Sequence, residues 1–142
     1  RPILDGDIAE TIQSLWKQEK HFHTQLAMIY LLIHYGIPQS QVEEIIAYLE
    51  ANRNEFIACI HKFYEGHPGG TWDALCLRLQ DAKFEGARPI YLLSLSILTE
   101  MSGLKPGPLP EIVHYLTNDD NSIIRNLAIR LEKAVHKEEV NS

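Results

Sequence analysis

Cys59, His61, His67 and Cys76 carry the thiol and imidazole donors that a zinc ion takes. Their spacing works against the ion. Cys59 and His61 stand two apart, and residues two apart on a helix point to different faces. Zinc frameworks use a tighter CxxC or HxxxH knuckle, so the expectation is a buried cysteine with surface or capping histidines, and no metal. Glu111 and His114 form one ExxH motif, where a di-iron bundle needs two plus two further glutamates. Glu132 and His136, four apart, read as a solvated pair at a helix end. His21 and His23 flank a helix entry, but no elbow such as GxSxG announces a nucleophile. The Asp119 and Asp120 pair has the chemistry for acid–base work. It lies in the turn NDDNS, where acids are expected to cap the next helix and meet its positive end. GHPGG lacks the GK[ST] of a phosphate loop, and KPGPLP reads as a rigid connector before it reads as a polyproline ligand. No catalytic centre assembles from these residues, so no enzyme and no cofactor are expected.

The whole chain sets the frame for the elements that carry these residues. Its 142 residues suit one domain, 1–142, with a real hydrophobic core. Apolar residues make up 45% and charged residues 23%, a globular balance and not a disordered one. The net charge of −6 argues against a phosphate-backbone surface, so no nucleic acid is expected, and it leans toward a basic or neutral protein partner. Two cysteines without a CxxC pair point to a reducing intracellular setting, cytoplasmic or nuclear. The longest apolar run, LAMIYLLI at Leu26–Ile33, falls far short of the ~20 residues that span a bilayer and reads as a buried helix. No signal peptide is visible. The chain opens on Arg1 without Met, which suggests a piece of a larger protein.

Helical periodicity recurs throughout, and strand alternation is absent. Asp7 with Glu10 suggests a capping box before a face of Ile8, Ile12, Leu15 and Trp16. A second helix is expected over Phe22–Tyr35, stopped by Gly36 and Pro38. Ser40 is the expected cap of a third helix with Val42, Ile45, Ile46 and Leu49. After a polar break at residues 51–54, a fourth face follows from Phe56, Ile57, Ile60, Phe63 and Tyr64. Thr71 is the expected cap of a fifth helix with Trp72, Leu75, Cys76 and Leu79. DAKFEGAR reads as a polar turn. Pro89 suits the first position of a sixth helix, apolar almost all round and therefore central. SGLKPGPLP is a connector to two last helices.

These elements pair as four helical hairpins, about 7–36, 40–66, 71–103 and 109–137. The last strong apolar residues of the shorter helices, Leu15, Leu49, Leu79 and Leu116, are spaced by 34, 30 and 37. Such an irregular period suits stacked hairpins with variable loops, because one hairpin cannot bury its face alone. The expected fold is all-α, about eight helices in a solenoid-like superhelix.

The last hairpin, LPEIVHYLTNDDNSIIRNLAIRLEKAV, resembles a HEAT repeat. Leu109, Pro110, Ile112, Val113, Leu116, Asp119 or Asp120, Ile124, Arg125 and Ala128 fit that pattern. The other hairpins share only the alternation of short helix, turn and long helix. The resemblance implies a protein-binding scaffold, part of a larger assembly. The apolar helix RPIYLLSLSILTEM is similar to the central helix of ENTH, VHS and RNA polymerase tail-binding domains. That alternative implies a module reading a short peptide or a lipid head group. In a solenoid the second helices often line the concave face. The expected partner-binding residues are therefore His23, Tyr30 and His34 on helix two (with Ala27 between them), His61 with Glu65 on helix four, and Asn126 and Arg130 with Lys133 on helix eight. The expected partner is another protein or a peptide segment.

Overall fold

A computed structural model describes residues 6–35, 38–102 and 107–141. The described residues form eight α-helices and one 3-10 segment, with no strand among them: α1 (Gly6–Gln18), α2 (Phe22–Tyr35), α3 (Gln39–Ala51), α4 (Arg53–Phe63), α5 (Gly70–Gln80), the 3-10 segment (Ala82–Ala87), α6 (Arg88–Ser102), α7 (Glu111–Leu116) and α8 (Ser122–Asn141). The protein is all-α. The chain divides into two compact units, residues 1–59 and 60–142, with the division inside α4.

In the first unit α1 packs on α2. A polar network ties in α3. Buried Gln25 donates from Nε2 to the Trp16 carbonyl at 2.8 Å and accepts the Tyr48 hydroxyl at 2.7 Å. Both ends of the amide are thereby satisfied, which removes most of the penalty of burying it. The Tyr48 ring also meets Trp16 edge-on at 5.1 Å and stacks with Phe22 at 6.2 Å. Three helices therefore converge on one tyrosine. Lys17 and Glu44 add an exposed ion pair at 2.8 Å between α1 and α3.

In the second unit α5 and α8 each pack on α6, and α7 packs on α8. Every residue of α6 from Ile90 to Thr99 is buried, in keeping with its apolar sequence. Its three hydroxyls are accommodated inside the helix. Ser94, Ser96 and Thr99 donate to the carbonyls of Ile90, Leu92 and Leu95, four residues back, at 2.7–2.9 Å. On α8, Ile123, Leu127, Ala128, Leu131 and Val135 form the buried stripe. Polar residues fill the opposite face.

Helix ends differ from the sequence expectation in instructive ways. Gly6 already belongs to α1, so Asp7 is its second residue and not its cap. Pro38 occupies the cap position of α3 with no side-chain bond, which puts Ser40 inside the first turn. Gly69, with φ +86, precedes α5, so Thr71 is also internal. Its place is explained by crowding: a Cβ on Gly69 would collide with the Asp73 carboxylate. Pro89 is the second residue of α6, where a missing N–H is equally harmless. The polar turn DAKFEGAR is in fact the 3-10 segment, started by Asp81 accepting from the Lys83 amide at 3.0 Å. The break between α3 and α4 narrows to Asn52 alone, whose amide side chain donates to the Tyr48 carbonyl at 2.9 Å. Gly36 and residues 103–106 of the last connector lie outside the described residues.

Two apolar faces are also corrected. Leu15 is 47% exposed while its neighbour Trp16 is buried, so the α1 stripe turns onto the larger ring. Phe63 is 67% exposed while Tyr64 is buried. Phe56, Ile57, Ile60 and Tyr64 set the stripe and leave Phe63 off its edge. Of the four repeat-spaced leucines, Leu49, Leu79 and Leu116 are buried and Leu15 is not.

Candidate functional site

The turn that opens α8 fixes where that helix begins and so which residues share its faces. Asn121, not either aspartate, caps the helix: its Oδ1 accepts from the amides of Ile123 at 2.9 Å and Ile124 at 3.2 Å. Asp119 holds the turn by accepting from the Asn121 amide at 2.9 Å. Arg125 then reaches back to the Asp119 carbonyl at 2.9 Å. Asp120 is exposed. The acids are structural parts of a turn, one step removed from the capping role expected of them.

With its start fixed, α8 presents Asn126, Arg130, Lys133 and Lys137 along its polar face, at helical spacing. These four, with Glu100 of α6, Ile129 and Ala134, line an open cleft of about 500 Å³. Arg130 is not an open anchor. Its guanidinium grips Glu100 in a two-pronged pair, Nε to Oε2 at 3.0 Å and Nη2 to Oε1 at 2.7 Å. Lys133 and Lys137 are exposed, and none of the described residues pairs with either.

A second concavity joins the end of α4 to α5. Phe63, Tyr64, Glu65, Gly66, His67, Ala74, Leu77 and Arg78 surround about 360 Å³. Phe63 and Leu77, 67% and 59% exposed, are both on its rim. A left-handed Gly66, φ +82, lets the chain turn from α4 into the His67 loop. The Nδ1 of His67 is sealed from solvent and meets no hydrogen-bond partner among the described residues. Burial raises the Tyr64 hydroxyl pKa, an effect that the Arg78 charge opposes. Burial also pushes Tyr91 up to about 12, helped by Tyr64 and again opposed by Arg78.

The other residues singled out in the sequence are distributed as follows. In the first unit, His23 and Ala27 are exposed on α2 and Tyr30 is half-buried. His34 belongs to α2 by its backbone, and its side chain lies outside the described residues. In the second unit, exposed His61 shares a hydrogen bond with Thr71, Nδ1 to Oγ1 at 2.9 Å, so it ties α4 to α5. The structure thus brings Asn126, Arg130 and Lys133 together and sets Glu65, but not His61, on the α4–α5 groove. Among the described residues no three His, Cys, Asp or Glu side chains gather as metal ligands. Cys76 is buried, and burial, then Asp73, pushes its thiol up to about 12. His114 does not pair along its own helix but reaches Glu132 of α8, Nδ1 to Oε2 at 3.5 Å. Glu111 accepts from the Tyr115 hydroxyl at 3.3 Å.

Phe63, Tyr64, Leu77 and Arg78 on the groove and Lys137 on the cleft are site residues that sequence reasoning missed. Lys137 continues the i, i+4, i+7 stripe of Asn126, Arg130 and Lys133, and that spacing was the available signal. Phe63 carries no such signal, since apolar periodicity counts it as core, whereas Leu77 falls off the Trp72, Leu75, Cys76 and Leu79 face, and that position was its signal. No helix among the described residues is long and apolar enough to cross a membrane. No protein-family model, no curated protein and no solved structure matches the chain.

Proposed function

We propose that this chain is a non-catalytic protein-interaction domain, a scaffold of helical pairs of the HEAT-like kind that holds a segment of another protein. One observation carries the reading. Phe63 and Leu77, two of the most exposed large apolar side chains, lie on the rim of the same groove. Scattered apolar exposure is ordinary, whereas apolar exposure converging on a concavity is what a docking surface needs. Aromatic and arginine side chains beside such a pocket are the usual anchors of an interface, and Phe63, Tyr64 and Arg78 supply them. The occupant is a peptide segment of a partner protein that inserts one aliphatic or aromatic side chain over Ala74. Helix packing around the buried α6 provides the rigid backing, and the chain's own residues perform no chemistry.

A photo-crosslinking amino acid at position 63 tests this. Expected is a discrete adduct that disappears when Leu77→Asp is added. A crosslinker at exposed Lys83 on the 3-10 segment is expected to give none. The same adducts from both positions, or an adduct indifferent to Leu77→Asp, would rule out the groove.

A further inference from the structure

The cleft between α6 and α8 is independent of that groove, and its chemistry is different. Three cations, Arg130, Lys133 and Lys137, line it against one carboxylate, Glu100. This local excess of positive charge stands on a chain whose net charge is −6. A carboxylate is already accommodated there: Glu100 takes both prongs of Arg130 at 2.7 and 3.0 Å. Lys133 and Lys137 extend the same row, one turn apart, or ~6 Å along the helix axis. They have no described partner, and Ile129 and Ala134 offer apolar surface between the charges.

We infer that this cleft binds an acidic peptide segment of a partner protein, as a second site beside the groove. Two carboxylates about one helical turn apart meet Lys133 and Lys137 and so continue the row that Glu100 begins. An aliphatic side chain of the same segment rests on Ile129 and Ala134. A polyanion such as RNA fits less well. It would meet two available lysines on an acidic protein, and phosphate-backbone binding draws its strength from many cations. The Arg130–Glu100 pair is internal to the site. It clamps α6 to α8 and holds the lysine row at a fixed distance from α6.

The test uses the whole chain and a fluorescein-labelled peptide with glutamates at i and i+4 and a leucine between them. Expected is saturable binding that weakens by about tenfold or more in Lys133→Glu with Lys137→Glu, and that weakens as salt is raised. The same peptide with both glutamates changed to glutamine should fail to bind. Circular dichroism of the double variant should be unchanged, because both lysines are exposed. Undiminished binding by the double variant overturns the inference. So does tighter binding of a single-stranded RNA or of phosphatidylserine vesicles than of the peptide, and so does no binding of the peptide at all. Loss of the Phe63 crosslink leaves this assay unaffected, so the two sites stand or fall separately.

Discussion

At the scale of single residues, the chain assigns roles by hydrogen bonding more than by residue type. Asn121 and Asp120 are neighbours of similar size, yet only Asn121 satisfies two otherwise free amides of α8. Asn121→Ala is therefore expected to cost about 1 kcal/mol in urea denaturation, and Asp120→Ala close to nothing. The sequence showed a capping turn but not which of its five capping-competent residues takes the task. That choice depends on backbone angles within a five-residue loop. The raised Cys76 and Tyr91 pKa values give a second expectation. Each group is held protonated in the folded chain to about 12, against ordinary values of 9.0 and 10.0. A raised folded-state pKa contributes stability in full below the unfolded value and loses it as pH climbs through the folded one. The urea midpoint should hold below pH 9 and fall progressively from there toward pH 12. A midpoint that rises over this window would contradict the burial of both groups.

At the scale of elements, α6 was the most legible part of the sequence, and for a physical reason. A helix apolar on every side has only one favourable place, the interior, and Ile90–Thr99 are buried there throughout. Leu93→Ala should accordingly cost about 2–5 kcal/mol, read as a lowered melting temperature with the helical spectrum retained at 20 °C or below. A cost under about 1 kcal/mol would mean that α6 is not the centre of its unit. The amphipathic helices were less legible. A stripe has a width of about 100° and its edges are ambiguous. Leu15 and Phe63 are edge positions that sequence periodicity placed inside, while Trp16 and Tyr64 beside them are the buried residues. The same ambiguity hid the groove, since Phe63 could be seen as a rim residue only after Tyr64 had been placed. On α8 the polar stripe was easier, because charges do not compete for the core. Asn126, Arg130 and Lys133 do share one surface, although Arg130 is occupied by Glu100.

At the scale of the whole molecule, composition and period identified an all-α protein without reference to any relative. They did not specify which helices pack on which, because that is set by side-chain fit between helices, as where α5 and α8 both pack on α6. Two concavities of the second unit differ in chemistry: one is rimmed by apolar side chains, one lined by lysines. The first unit contributes a tyrosine-centred network that fixes α1, α2 and α3. The central claim is that the chain works by holding a peptide segment through Phe63 and Leu77. Peptides selected from a random display library on the wild-type chain test it most directly, by their affinity for a Phe63→Ser, Leu77→Ser variant of unchanged helicity. The account predicts peptides with an aliphatic or aromatic anchor whose binding weakens by about tenfold or more in that variant. Selected peptides that bind the variant as tightly as the wild type would contradict it.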